Sequence, residues 1–574
     1  MGLSNKLKLT LLSALIAVST ACTNATDTQA NNPKDNYLTR DVRDDVFYFV
    51  MPDRFENGDR ANDMGSTTIS ISSGGFDPTS TGHYHGGDLR GLINQLDYLQ
   101  GMGITAIWMT PIMRNQAVQG DSSGYHGYWT LDFTQLDPHL GSNDDLKELI
   151  DAAHAKNMKV FFDIITNHTA DVIKFEECHR NNNKKFSTDE RLCKYVPLAD
   201  KKAGKGYTPY VLEHEKQLKT PDWLNDPQYY NNQGDSTWQG ESSINGDFMG
   251  LDDLDTSNPK VVSGMIDIYK DIIEIYKPDG FRIDTVKHVD MSFWQQFSPA
   301  IMEYAQQLGI PNFFVFGEVY SEDANVLSTF TTEGKIPSVL DFHLQLAIKN
   351  VFGRGQPTQA LNELFLLDSL YKDDDSDADI LMNFVSNHDM GRLGYFVEEA
   401  FPLASEQEKL ARIKIAHAMM YFARGIPVVY YGDEQGFVGK GGDKGAREDM
   451  MPSKVELYNS IDLLGTEQTT ADANFNVGHP LYQAFAEYAE IYKNNEALRR
   501  GKQEILLYSD NAGIFAFTRE TKQQKLALIF NSATSPQTIN NETIQAGKLL
   551  HGEVEKVSSG WAIPALSFAI IEIN

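Results

Sequence analysis

At 574 residues, 41% of them hydrophobic, the chain is long enough for two or three domains around a sizeable core. Its formal charge of −29 excludes a nucleic-acid-binding surface, which needs clustered Lys and Arg, and fits a neutral partner. The aromatic content of 11% suits a ring-lined cleft and a large core equally.

The first elements are an address rather than a fold. Lys6 and Lys8 precede an apolar run from Leu9 to Val18, and Ser19, Thr20 and Ala21 lead to Cys22. The run is short for a membrane span and reads as an export signal over residues 1–21. VSTAC resembles a bacterial lipoprotein processing site, with Cys22 lipidated, although Ser19 stands where an aliphatic residue is usual. The alternative is plain cleavage after Ala21, so the expected location is the bacterial cell envelope or outside it, as an outer-membrane lipoprotein or a periplasmic or secreted protein. Residues 22–36 are polar and suit a tether.

Strand-like runs then alternate with helical patterns such as Asp145 to Asn157. They are Val46 to Met51, Ile104 to Met109, Lys159 to Ile165, Gly280 to Asp284, Phe313 to Glu318, Val339 to His343, Ile380 to Val385 and Ile426 to Tyr431. Near-continuous apolar character suits strands buried on both faces, and eight of them predict an α/β fold of TIM-barrel type, (β/α)8. The expected bounds are 37–168 and 250–496 for the barrel, with an insertion domain over 169–249 after strand three. Short alternating runs over 497–574 predict a C-terminal antiparallel β-sandwich domain. Cys178 and Cys193 lie in the insertion. In an oxidising compartment they are expected to pair as one disulfide, two free thiols being the alternative, and His179 alone completes no accepted zinc spacing.

In such a barrel the chemistry sits beyond the C-terminal strand ends. Asp53, His168, Asp284, Glu318 and Asp389 all fall within or just past a predicted strand. Four segments stand out: DIITNH from Asp163, GFRIDTVKH from Gly280, FFVFGEVY from Phe313 and FVSNHD from Phe384. Cleaving a glycosidic bond needs a proton donor and a carboxylate at an oxocarbenium-like carbon, and three acids on separate strand ends supply both.

At these segments the chain resembles the α-amylase family of glycoside hydrolases, from Val46 onward, and looks most like its α-amylase, cyclodextrin glucanotransferase and cyclomaltodextrinase branch. The resemblance implies a retaining hydrolase of α-1,4-glucans with Asp284 as nucleophile, Glu318 as general acid–base and Asp389 as transition-state stabiliser. Arg282 would orient the nucleophile. His126, Tyr128, His168 and His388 would hold the sugar at the cleavage point, and Lys287 and His288 the next glucose. The resemblance also implies structural Ca2+: one site from Asn167, Asp253 and the His288 carbonyl, another from Asn57, Asp59, Asn62, Asp63, Gly86 and Asp88. Oxygen donors of this kind suit calcium. Hydrolysis and transfer share the covalent intermediate, so cyclomaltodextrinase and 4-α-glucanotransferase activities are the alternatives. Met249, where transferases carry an aromatic ring, favours hydrolysis. A non-catalytic surface glycan-binding protein is the reading from another class. The region near Trp223, Trp238 and Phe248 is expected to set substrate preference.

Overall fold

The aromatic and β-branched runs become a closed ring of strands because each is buried on both faces. In a computed structural model, which describes residues 36–65, 71–179, 193–442 and 444–573, they are β1 (Phe47–Val50), β2 (Ala106–Met109), β3 (Lys159–Ile164), β4 (Gly280–Ile283), β5 (Phe314–Gly317), β6 (Ser338–Val339), β7 (Met382–Asn383) and β8 (Ile426–Tyr430). The export signal, Cys22 and almost all of the tether lie outside the described residues. Pairing is parallel in the order β6-β5-β4-β3-β2-β1-β8-β7, and a Leu340–Met382 bridge joins β6 to β7 and closes the barrel.

Rings fill the interior in layers, as a barrel core requires. Phe47 packs on Phe161 at 4.7 Å and Phe316 at 5.9 Å, and Phe49 stacks on Trp108 at 3.8 Å. Gly280 must be a glycine, because a Cβ there would lie 2.2 Å from Phe161 Cε1 and 2.1 Å from the Phe314 carbonyl oxygen.

Two strands are shorter than expected. The sixth ends at Val339 because the Asp341 carboxylate caps the helix Phe342–Ile348, accepting the Leu344 N–H at 2.9 Å. The seventh keeps only Met382–Asn383, since residues 378–380 wind into a 3-10 turn capped by Asp377. The paired segments Met113–Asn115 and Thr130–Leu136, not expected from the sequence, follow β2 and bracket a loop whose residues from Gln119 to Trp129 line the cleft.

The chain leaves the barrel after β3 and returns before β4. The neck is closed by antiparallel pairing of His168–Thr169 with Asp252–Asp253. Within the excursion Cys178 and Cys193 form a disulfide. The C-terminal region is a five-stranded antiparallel sheet facing a three-stranded one. Its Phe568 packs on Phe422 and Tyr488 of the barrel helices, both at 5.6 Å. No helix among the described residues is long and apolar enough to cross a membrane.

Candidate active site

Register builds the site. Arg282 on β4 lies level with Asp163 on β3, and both side chains top the aromatic layers inside the barrel. The ladder runs on past the strands: Asp284 donates its N–H to the Ile164 carbonyl at 2.9 Å, and Glu318 to that of Ile283 at 2.8 Å. These bonds fix the backbone of two acids at adjacent strand ends.

One guanidinium then gathers three carboxylates. Arg282 Nη1 donates to Asp163 Oδ1 at 2.7 Å and Asp284 Oδ1 at 2.8 Å, and Nη2 lies 3.0 Å from Glu318 Oε2. Glu318 Oε2 also accepts the Thr285 N–H at 3.3 Å. Burial pushes both Asp284 and Glu318 up to about 7 against the pull of Arg282, and a neighbouring carboxylate adds to each rise, Asp163 for Asp284 and Asp284 for Glu318. Burial likewise lifts Asp163 to about 6. Three buried acids facing one fixed positive charge retain a proton near neutral pH.

Asp389 lies across the cleft. Arg447 Nη2 donates to its Oδ1 at 3.0 Å, and His388 Nε2 is 3.4 Å from its Oδ2. Tyr128 donates its hydroxyl proton to Asp163 Oδ2 at 3.1 Å and meets His388 Nε2 at 3.0 Å. Burial takes His388 down to about 3 and His168 to about 4, so both are neutral. His168 Nε2 faces the Tyr128 carbonyl at 3.2 Å, and His126 Nδ1 accepts the Tyr128 N–H at 3.0 Å. Lys287 donates to the Tyr320 carbonyl at 2.8 Å, and His288 Nδ1 bonds the Ser243 carbonyl at 2.7 Å.

Every expected acid and sugar-facing residue except Arg282 lines one cleft of about 650 Å3, and Arg282 lies beneath it. Trp238, Phe248 and Met249 line the same cleft. Trp223 does not, because its ring packs over Gly264 of the helix Pro259–Tyr276. Asp53 is also elsewhere: it is fully buried, accepting the N–H groups of His85 and Gly86. The sequence reading left Asp163, Tyr125 and Arg447 without a role. Asp163 carried a signal, an acid inside a doubly buried strand that must have a partner. Arg447 carried none.

The oxygen-rich clusters fit calcium on structural grounds. Asn167 Oδ1 is buried with no hydrogen-bond partner, near the buried Asp253, whose Oδ2 accepts from Asn231 Nδ2 at 2.7 Å. In the second group Asn57 Oδ1 and Asn62 Oδ1 are likewise buried and unpartnered. Asn57 Nδ2 meets Asp63 Oδ1 at 2.6 Å, and a Cβ on Gly86 would strike both at 2.7 Å. Asp88 is partly committed, since it caps the helix Leu89–Asn94 and accepts from Asp59 N at 2.7 Å.

A profile of the α-amylase catalytic domain matches residues 49–517. The chain is 43% identical to an α-amylase of Streptomyces lividans over 92% of its own length, and it spans 60% of that relative. An Anoxybacillus α-amylase structure superposes with a TM-score of 0.69 at 27% identity, covering 93% of this chain and all but 1% of the other. The structure of CldA, a cyclomaltodextrin glucanotransferase with a three-domain ABC distribution, superposes with a TM-score of 0.70 at 25% identity, covering 92% and 99%.

Proposed function

Because the chain belongs to the α-amylase family of glycoside hydrolases, we propose that it is a retaining hydrolase of α-1,4-glucosidic bonds in starch or maltodextrins. The observation that carries this reading is the single guanidinium of Arg282 holding Asp284 and Glu318 together at the floor of the cleft. Asp284, its lone pair directed by Arg282, attacks the anomeric carbon as the glycosidic C–O bond breaks. Glu318, kept protonated by burial, gives its proton to the leaving oxygen. Deglycosylation reverses the roles: Glu318 takes a proton from water, which displaces Asp284. Asp389, opposite this pair, hydrogen-bonds the sugar hydroxyls as charge develops.

Asn167 and Asp253, with the His288 carbonyl, would hold one Ca2+ between barrel and insertion, and the Asn57–Asp63 turn with Gly86 and Asp88 would hold a second. Calcium would supply structure and charge balance at these sites. The Cys178–Cys193 disulfide supports passage through an oxidising compartment, in keeping with an exported or envelope protein.

Transfer to a second sugar is the competing reading, favoured by Tyr320, half exposed two residues past Glu318. The likeness to CldA means that domain number does not separate the two activities. Product analysis does. With maltoheptaose and β-cyclodextrin in calcium buffer, a ladder of shorter maltosaccharides bearing the α-anomeric configuration is expected, with the cyclic sugar spared. Rapid ring opening would indicate a cyclomaltodextrinase, and products longer than the substrate a transferase. Binding without cleavage would overturn the enzyme reading. Asp284→Asn should abolish turnover and keep oligosaccharide binding.

A further inference from the structure

Arg392 follows the FVSNHD segment by three residues, is fully buried, and takes no part in the chemistry above. Its Nη1 donates to Asp433 Oδ1 at 3.0 Å and to the Tyr431 carbonyl at 2.7 Å. Its Nε donates to Glu448 Oε2 at 2.7 Å, and Nη2 to the Ala446 carbonyl at 3.4 Å. The rings of Tyr430 and Phe437 lie 4.6 and 5.0 Å from the guanidinium carbon. The last two hydrogen bonds have a particular geometry: they grip the residues on either side of Arg447. Gly439 closes the packing, since a Cβ there would come within 2.2 Å of Glu448 Oε1 and of the Gly445 carbonyl oxygen.

Held this way, Arg447 reaches into the cleft wall with all three of its nitrogens engaged. Nη2 meets Asp389 Oδ1 at 3.0 Å, Nε the His388 carbonyl at 3.1 Å, and Nη1 the Tyr125 hydroxyl at 3.1 Å. Tyr125 is fixed in turn by Arg54, whose guanidinium lies 4.0 Å over its ring. We propose that Arg392 and Arg447 form a relay of positioning residues that aims the Asp389 carboxylate: Arg392 holds the Ala446 carbonyl and the Glu448 carboxylate on either side of Arg447, and Arg447 sets the direction of Asp389. The inference rests on the reading of Asp389 given above. Burial would raise the Asp389 carboxyl, yet it lies below its ordinary range because His388, Arg447 and the more distant Arg282 draw it down. With His388 neutral, Arg447 is the contact that brings a permanent charge. A preset carboxylate needs no reorganisation as the transition state forms, so the relay acts on kcat rather than on ground-state binding.

The test is a double-mutant cycle on the full chain with maltoheptaose. Arg447→Gln is expected to lower kcat about a hundredfold, with KM changed less than about threefold, because a small misplacement is felt only in the transition state. Arg447→Lys, which restores the charge without the fork, should regain about tenfold. Arg392→Lys should lower kcat alone and add nothing further in the Arg447→Gln background. If Arg392→Lys does not fold, Glu448→Gln replaces it in the same cycle. Losses that multiply would overturn the relay, as would an Arg447→Gln enzyme changed only in KM. Asp389→Asn separates the two readings. If that variant keeps full kcat, the role given to Asp389 fails; if it is dead beside a fully active Arg447→Gln enzyme, the relay alone fails.

Discussion

Arg282 is the residue on which the site's electrostatics turn, because it faces Asp163, Asp284 and Glu318 at once. One positive charge cannot compensate three negative ones, so the excess is relieved by a proton. This gives a stability prediction whose sign follows from linkage. The folded-state value for Glu318, about 7, lies above its ordinary 4.5. The folded state therefore binds that proton more tightly than the unfolded chain does, and Glu318 costs stability as pH climbs from about 4.5 to about 7. Glu318→Gln removes the cost, and Arg282 keeps two acids. The variant should match the parent in thermal midpoint near pH 4 and exceed it near pH 8, by on the order of 1 kcal/mol or more. A variant less stable at pH 8 would show that the ion pair, not the desolvation, dominates at Glu318. The three cleft acids and their flanking residues were legible in sequence because each follows an apolar run. Arg447 was not, because its contacts with His388 and Asp389 come from a loop after β8 reaching the segment after β7, a juxtaposition that local pattern does not encode.

At the scale of elements, strands β1 to β5 and β8 were readable because their side chains are mostly apolar and buried on both faces. The sixth is shorter than expected because Asp341 caps a helix that ends it, and the seventh because Asp377 caps a 3-10 turn that delays its start. The cleft's outer wall was least readable, since the segment carrying Trp238 and Met249 is held by turns rather than by periodic burial. Met249 is nonetheless placed to be informative. It is 64% exposed, lines the cleft, and has a left-handed backbone at φ 54°. That backbone already carries a side chain unbranched at Cβ, and Tyr is likewise unbranched there. A ring at this position gives an acceptor sugar a platform worth about 1 kcal/mol, or roughly a fivefold gain in acceptor occupancy over water. Met249→Tyr should raise the ratio of transfer to hydrolysis products by about that factor, read by chromatography at high maltoheptaose. An unchanged ratio with intact kcat would place the acceptor elsewhere, against Tyr320 alone.

At the scale of the molecule, the insertion is joined to the barrel at the neck where His168–Thr169 pairs with Asp252–Asp253. The two chain crossings there are short, so the pairing alone is a weak fastening for an excursion of this length. The same neck holds Asn167, with its buried unpartnered oxygen, and the buried Asp253 and Asp247, the latter's Oδ1 3.4 Å from the Asp253 N–H. Two buried acids and an orphaned amide oxygen in one place destabilise a fold unless a cation draws them together. Calcium bound only by the folded protein stabilises by about 4 kcal/mol at a thousandfold excess over its Kd. Chelation should therefore lower the melting temperature and release the insertion first. It should abolish turnover, while the C-terminal sheet, packed through Phe568 on Phe422 and Tyr488, stays with the barrel until that melts. Magnesium, smaller and bound to its own waters, should not restore the midpoint that calcium restores. Asn167→Ala should weaken the dependence on calcium, so that the parent and the variant converge in melting temperature once chelator is present. If the parent melts identically with and without chelator, the neck is held by protein contacts alone, and the clustering of its oxygens has another cause.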